Sequence, residues 1–270
     1  MLLAIDVGNT NIAFGIYDPG LNSARDRASS TQATQNHWAH HWRIRTAQDN
    51  MPDEYAVLFR SLLRDRGLDL DAVQRVVLSS VVPALTTTLS EMFERYASAD
   101  LLIVGPGVRT GLRIRTDNPA EVGGDLVANA VAAHAQFRSN CIVVDFGTAL
   151  TFTAVSANGD LLGVAIAPGL RAAASALASN TAQLPHVRLV PPPTAIGRNT
   201  VHSIQSGVVY GYIGLVEALV RRMRAELGGE ALAVATGGLA PVIAPLSNEF
   251  AAIEPWLTLD GLRLISERNA

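Results

Sequence analysis

The sequence predicts an α/β protein that is built twice from one strand–turn–strand unit. Two turns, which begin at Asp6 and Asp145, share an order of acid, glycine, and hydroxyl or amide side chains. Each turn lies between two apolar runs that are typical of buried strands. A third turn, Thr236-Gly237-Gly238, follows a late strand-like run. Together these observations favour a duplicated α/β fold.

The first half alternates predicted strands and helices. Residues 19–40 are rich in Ser, Thr, Asn and Gln, which predicts a mobile loop. Pro83 suits the first position of a helix. The Gly and Pro residues within 105–120 predict an irregular segment. The predicted strands are 2–5, 12–17, 41–45, 74–80 and 101–104, and the predicted helices are 53–66, 83–97 and 121–137.

The second half repeats this order. Pro191-Pro192-Pro193 predicts a loop, and residues 199–225 predict one long helix that is kinked near its glycines. The predicted strands are 141–145, 151–155, 161–167 and 232–235, and an Ala-rich helix and a short terminal α/β unit complete the pattern. We expect two domains of ordinary size, 1–118 and 119–270.

Composition excludes several classes of protein. With 49% hydrophobic residues and a net charge of −3, the 270-residue chain predicts a packed enzyme without a basic surface for nucleic acid or anionic membranes. All 21 basic residues are Arg, which excludes a lysine Schiff base and a P-loop. The single Cys141 excludes a disulfide framework. No signal peptide or membrane span is expected, so the predicted location is the cytoplasm.

The turns at Asp6 and Asp145 suit a nucleotide's phosphates. A strand-end Asp can hold a metal ion directly or through water, glycine admits a phosphate close to the backbone, and Thr and Asn supply hydrogen-bond donors. Gly8, Asn9, Thr10 and Asn11 would contact phosphate oxygens in the first turn. Thr148 would do so in the second, where Asp145 could instead hold a cation. An ordinary hairpin and a capping Asp are the alternatives.

A third candidate site begins at Gly123-Gly124-Asp125, at the start of a predicted helix. A carboxylate beside a substrate hydroxyl can accept its proton during phosphoryl transfer. By spacing alone, a first-turn Asp that stabilises the helix dipole is the simpler explanation.

Two further features carry less information. The small residues Gly237 and Gly238 leave room for a flat adenine, although a simple strand–helix turn explains them equally well. His37, His40 and His41, with the neighbouring Trp38 and Trp42, resemble a metal cluster, but without acidic or Cys ligands a loop that enters a strand is favoured.

The repeated strand–Asp–Gly–Thr pattern resembles the duplicated ribonuclease-H-like ATPase fold of actin, sugar kinases and chaperone ATPases, in which a cleft between the domains holds the nucleotide. The motifs in their order resemble the type III pantothenate kinases over nearly the whole chain. The matching segments are 6–11, 79–83, 118–125, 145–149, 166–170, 196–200, 205–207 and 235–239.

This resemblance implies ATP-dependent phosphorylation of the pantothenate 4′-hydroxyl, the first step of coenzyme A synthesis. It implies a homodimer with pantothenate near the subunit interface, Asp125 as proton acceptor, and Asp145 as ligand of a monovalent cation, K⁺ or NH₄⁺. Asp6 would orient hydrated Mg²⁺. The implied ATP-binding residues are Asp6, Val7, Gly8, Asn9, Thr10, Asn11, Ile12, Ala13, Thr148, Gly237 and Gly238; the implied pantothenate-binding residues are Gly123, Gly124, Asp125, Leu126, Thr200 and Thr116.

Two positions depart from the family pattern. Leu126 stands where many members have Arg, and Thr116 stands where many have an aromatic residue before Asp117-Asn118-Pro119. Both affect the expected substrate contacts, and neither lies in the phosphate turns. The rival functions are a kinase of the same fold for acetate or a sugar, and a non-catalytic, nucleotide-dependent assembly or regulatory protein.

Overall fold

A computed structural model describes residues 1–20 and 38–270. Most of the predicted 19–40 loop, and His37, therefore lie outside the described residues. The described strands are β1 Leu2–Val7, β2 Asn11–Tyr17, β3 His40–Arg45, β4 Arg75–Ser80, β5 Asp100–Ile103, β6 Arg113–Ile114, β7 Cys141–Phe146, β8 Ala149–Val155, β9 Asp160–Pro168, β10 Leu232–Thr236 and β11 Phe250–Ile253.

The helices confirm most of the predicted boundaries within a few residues. They are α1 Pro52–Arg64, α2 Pro83–Tyr96, α3 Gly124–Phe137, α4 Leu170–Ser179, α5 Thr200–Gln205, α6 Gly211–Glu226, α7 Ala240–Ile243 and α8 Leu257–Arg268. Short 3-10 turns occur at Leu70–Ala72, Pro119–Glu121 and Ala244–Leu246. The segment that was expected to be irregular, 105–120, contains one short strand, β6, which pairs with β9.

The two sheets share one plan, which confirms the duplicated fold. The first has the order β3-β2-β1-β4-β5 and the second has β11-β10-β7-β8-β9-β6. In both, three antiparallel strands continue into two parallel ones. The strand that carries the Asp turn is central in each sheet. Reading the second sheet from β9 to β11 reproduces the first.

The chain forms two compact units. Unit 1 contains residues 1–111, 120–132 and 258–270, and unit 2 contains residues 112–119 and 133–257. Each unit is thus assembled from separate chain segments, whereas the sequence-based division at 118/119 is a single cut. That division stays a prediction.

In unit 1, each face of the sheet has its own cover. Helices α1 and α2 cover one face, where Tyr55, Phe59 and Phe93 are buried. The opposite face receives α8 and the start of α3. At Gly261 in α8, an added Cβ would lie 1.9 Å from the Ala128 carbonyl oxygen, so only glycine permits this approach. Close packing thereby fixes the start of α3 over the sheet.

In unit 2, α5 and α6 are joined by a π-helical turn at Ser206–Tyr210, and together they form one 27-residue helix, 200–226. Contrary to the sequence-based expectation, this helix is long and apolar enough to span a membrane by length and composition. Its residues Val209, Ile213 and Val216, however, are buried in the core of unit 2. Core packing therefore accounts for the apolar residues on this face of the helix.

Candidate active site

The first Asp turn is a rigid loop with polar residues exposed at its tip. Gly8 N–H donates to the Asn11 carbonyl at 3.0 Å. Thr46 directly follows β3 and binds this turn twice. Its hydroxyl donates to the Gly8 carbonyl at 2.6 Å, and its N–H donates to the Thr10 carbonyl at 3.0 Å. Asn9, Thr10 and Asn11 are exposed. The backbone is therefore held from within, and the side chains at the tip can reach a ligand.

Not every residue assigned to this turn can use its side chain. The Val7 and Ile12 side chains are fully buried in the unit 1 core. Ala13 lies within β2, opposite Asp6. If Val7 and Ile12 contact a nucleotide, they do so through the backbone, whereas the partly exposed Ala13 side chain lies on the same face of the sheet as Asp6.

The second Asp turn is crowded with oxygen atoms. Cβ atoms added at Gly147 and Gly237 would lie 3.4 and 2.3 Å from Asp145 Oδ1. One added at Gly169 would lie 2.2 Å from the Thr148 carbonyl oxygen and 2.8 Å from that of Gly147. The absence of side chains therefore lets Gly237 approach the Asp145 carboxylate and lets Gly169 approach the carbonyl oxygens of Gly147 and Thr148. Thr148 is exposed at the turn.

Gly237 is required by its conformation as well as by space. Its φ of 90° lies in the left-handed region that disfavours side chains. Beyond it, Gly238 and Leu239 border a cavity of about 510 Å³. Its polar lining includes Arg171, His186 and Arg188. The cavity thus combines apolar residues with the positive charges of Arg171 and Arg188.

Asp125 lies in the first turn of α3 and is half-buried. Its Oδ1 accepts a hydrogen bond from Leu126 N–H at 2.8 Å. Burial raises the pKa of this carboxyl group above its ordinary range, although hydrogen bonds from the Leu126 and Asp125 amides oppose the shift. An added Cβ at Gly123 would lie 2.4 Å from Asp125 Oδ1. The carboxylate therefore needs glycine beside it, which the dipole explanation does not require.

The remaining predicted substrate residues are placed in different surroundings. Gly123 to Leu126 are contiguous in unit 1, whereas Thr116 and Thr200 belong to unit 2. Thr200 is the exposed first residue of α5, which Asn199 caps by accepting from His202 N–H. The Thr116 Oγ1 atom is buried and has no hydrogen-bond partner in the described part of the chain.

Thr116 follows a segment that is fixed by ion pairs. Arg113 and Arg115 contact Asp160 at 2.8 and 3.0 Å. Hydrogen bonds from Arg115 and then Arg113 lower the pKa of this Asp. The backbone that leads to Thr116 is therefore anchored to β9.

The described part of the histidine pattern, His40 and His41, does not form a metal centre. His40 and His41 lie in β3, and buried Trp38 donates from Nε1 to Asp260 at 2.9 Å. Within residues 1–20 and 38–270, there is no cluster of three His, Cys, Asp or Glu side chains that could hold a metal ion. His37 lies outside the described residues.

Sequence reasoning missed two features. One is the set of cavity residues Arg171, His186 and Arg188, for which no motif gives a signal. The other is Ser79, which pairs in register with Asp6. The repeat offers a signal for Ser79, because Thr236 pairs with Asp145 in the equivalent position.

The duplicated sheets and strand-end Asp turns define the actin-like ATPase fold. Two solved structures share the fold: the ethanolamine utilization protein EutJ from Carboxydothermus hydrogenoformans (TM-score 0.55, 14% identity, 97% of this chain and 89% of that chain), and the activator of the 2-hydroxyisocaproyl-CoA dehydratase from Clostridium difficile with bound ADPNP (TM-score 0.51, 12% identity, 99% and 95%).

The family follows from closer likenesses. The model of the type III pantothenate kinase family matches residues 2–222. The chain is 50% identical over 270 residues to a type III pantothenate kinase from an Anaeromyxobacter species and 48% identical over 269 residues to one from Moorella thermoacetica, with full coverage of both chains in each case. The chain belongs to the type III pantothenate kinases.

Proposed function

We propose that this enzyme transfers the γ-phosphoryl group of ATP to the 4′-hydroxyl of pantothenate. The observation that carries the proposal is the Asp125 carboxylate, half-buried at the start of α3 beside glycines that leave its oxygen unobstructed. Asp125 belongs to unit 1, as does the Asp6 turn. This is the arrangement expected for a base that serves an alcohol acceptor.

Asp125 is proposed as the proton acceptor. The pantothenate oxygen forms a bond to the γ-phosphorus, the bond to the bridging oxygen breaks, ADP leaves, and the hydroxyl proton passes to Asp125. A carboxylate whose pKa is raised by burial holds that proton better than an exposed one. The Leu126 amide fixes the carboxylate's orientation at 2.8 Å.

The two Asp turns are proposed to hold the phosphates of ATP. The exposed Asn9, Thr10 and Asn11 side chains would contact phosphate oxygens in unit 1, and Thr148 would do so in unit 2. Asp6 would bind Mg²⁺ through water. A single carboxylate fits, because Mg²⁺ usually keeps several waters and takes its other ligands from phosphates. The ion would neutralise phosphate charge.

Asp145 is proposed to hold K⁺ or NH₄⁺. The Asp145 carboxylate lies against Gly237 and the carbonyl oxygens of Gly147 and Thr148 lie against Gly169, so no side chain at these glycines covers the oxygen atoms of the turn. Hard oxygen donors of this kind suit an alkali cation. The bound charge would add to Mg²⁺ in a protein that has no lysine.

The cavity beside Gly238 is proposed to receive the adenosine part of ATP. Leu239 and Val242 offer apolar surface to a base, and Arg171 and Arg188 offer positive charge near the α-phosphate. Left-handed Gly237 lets the backbone turn beside the nucleotide. This assignment adds the residues of the cavity to Gly237 and Gly238, which the sequence predicted to bind ATP.

Pantothenate is proposed to contact Gly123 to Leu126, Thr116 and Thr200. The buried Thr116 hydroxyl, which has no partner in the described part of the chain, is a group that a polar substrate would satisfy. Leu126 offers an apolar contact at the position where many members of the family have Arg.

A homodimer is also proposed. A glycine inside a helix costs about 1 kcal/mol relative to Ala, so the glycines of the 200–226 helix are explained by close packing, either against the protomer's own sheet or against another element. Cβ atoms added at Gly207, Gly211 or Gly214 would meet nothing within 4 Å. These glycines therefore lie on an open helix face, which excludes their own sheet as the reason for them. A second copy of the chain would suit such a face.

An ADP-release assay with and without pantothenate tests the proposed function. We expect ADP formation that depends on pantothenate, with 4′-phosphopantothenate as the product. Turnover with acetate or a sugar instead would favour another kinase of this fold. ATP hydrolysis without any acceptor would favour an assembly or regulatory ATPase.

A further inference from the structure

Ser79 is a buried polar residue that the proposed mechanism does not use. It is the penultimate residue of β4 and is 0% exposed. Its hydroxyl has no hydrogen-bond partner in the described part of the chain. A buried hydroxyl without a partner destabilises a folded protein. Its presence therefore calls for an explanation other than the stability of the free enzyme.

The position of Ser79 connects the two functional parts of unit 1. Ser79 pairs with Asp6 across the parallel β1–β4 ladder, so both side chains leave the same face of the sheet. Ser79 also touches the start of α3. A Cβ added at Gly124 would lie 2.9 Å from the Ser79 hydroxyl oxygen and 3.6 Å from its Cβ. The hydroxyl thus lies directly beneath the residue that precedes Asp125.

The second half of the chain has a hydroxyl in the same place. Thr236 pairs with Asp145 across the parallel β7–β10 ladder and is 1% exposed. In both sheets, therefore, a buried hydroxyl stands beside the strand-end Asp. The repetition indicates that Ser79, like Thr236, lies at the end of the sheet that carries the Asp turn.

We propose that Ser79 is a positioning residue for phosphoryl transfer, and that its hydroxyl fixes the first turn of α3, and with it Asp125, when the substrates are bound. The first N–H groups of a helix lack partners within the helix, and a serine oxygen can accept from such a group. The Gly124 N–H is the candidate donor, because Gly124 is the residue of α3 that Ser79 approaches. This inference rests on the proposed role of Asp125.

A matched pair of variants separates positioning from stability. Ser79→Ala removes the orphaned hydroxyl, so we expect Tm to stay equal or to rise by about 2 °C, while kcat falls about tenfold because misplacement of ~1 Å can cost up to ~100-fold. The KM for ATP should change less than about twofold, since the phosphate turns are intact. Ser79→Cys, which keeps the shape but bonds weakly, should behave like Ser79→Ala.

Ser80→Ala is the control on the same strand. The Ser80 hydroxyl donates to the Val82 carbonyl at 3.0 Å and accepts from Val82 N–H at 3.1 Å. Its loss should lower Tm by about 2–4 °C and leave kcat unchanged. The two serines should therefore show opposite effects on stability and on turnover.

Hydrogen exchange supplies a readout besides activity. Binding of a non-hydrolysable ATP analogue, Mg²⁺ and pantothenate should slow exchange at the amides of residues 124–126 in the wild type and in Ser80→Ala, but not in Ser79→Ala. Equal protection in Ser79→Ala, or a lower Tm with normal kcat, would overturn the role of Ser79. A wild type without pantothenate-dependent turnover would instead overturn the proposed function, and the Ser79 proposal with it.

Discussion

Replacement of Asp125 by Asn separates the role of a base from the role of a helix-start residue. The Asn side chain keeps the shape, and its Oδ1 can still accept from Leu126 N–H, a bond of 2.8 Å in the native enzyme. Only the proton acceptor is lost. Loss of a general base costs about 10²–10⁴ in rate, which corresponds to about 2.7–5.4 kcal/mol of activation free energy. We expect kcat to fall by that factor.

The thermal stability of Asp125→Asn should not fall with its kcat. Burial raises the pKa of Asp125, so the folded state binds its proton more tightly than the unfolded state does. The stabilising contribution of Asp125 is then fully present below its unfolded pKa and is lost as pH rises through the folded pKa. At neutral pH the ionised carboxylate therefore works against folding. Asp125→Asn should have a Tm equal to or above that of the wild type.

The assay is steady-state ADP release between pH 4.5 and 8, with thermal unfolding of the same samples. The wild-type rate should fall on the acid side at a pH above the ordinary Asp range, because the base must be ionised. Asp53→Asn is the control, since Asp53 is also a first-turn Asp, in α1. It should lose at most about 1 kcal/mol of stability and retain kcat. An Asp125→Asn enzyme within tenfold of the wild-type kcat would refute the reasoning.

Three further outcomes are expected. K⁺ or NH₄⁺ should activate more than Na⁺ because of the oxygen-lined Asp145 turn, and equal rates in matched chloride salts would contradict this assignment. Gly237→Ala should lower Tm and raise the KM for ATP, since its Cβ would meet Asp145 Oδ1 at 2.3 Å and its φ is 90°; a normal KM would detach Gly237 from ATP binding. Gly211→Leu should fold normally, because nothing lies within 4 Å of its Cβ, yet weaken dimerisation and activity together. Analytical ultracentrifugation checks this, and a fully active wild-type monomer at micromolar concentration would exclude the dimer.

The strands and helices could be predicted because their signals are local. The apolar runs at residues 2–5 and 141–144 and the turns after them gave the central strands of both sheets, and Pro83 gave the start of α2. The shared sheet order followed from the repeat. These features depend on periodicity and turn chemistry, which a single sequence contains.

What the sequence could not supply depends on contacts between distant segments. The orphaned hydroxyl of Ser79 is recognisable only when Gly124 is known to lie above it. The open face at Gly211 is visible only when the helix has been packed, since glycines in a sequence suit close contact and open space equally. The cavity at Arg171 and Arg188 joins segments that no motif connects.

The π-helical turn at Ser206–Tyr210 sets the angular phase of Thr200 about its helix. An α-helix advances about 100° per residue, and a π turn holds one residue more than its regular counterpart. Buried Ile204 and Val209 are five positions apart, whereas Val209 and Ile213 are four apart. Deletion of one residue within 206–210 would therefore give a regular α-helix in which Ile204 and Val209 are four positions apart and Thr200 stays on the same side of the helix. Deletion of a second residue would rotate Thr200 by roughly a quarter turn, so relatives that bind the same substrate through this helix should tolerate the first loss but not the second.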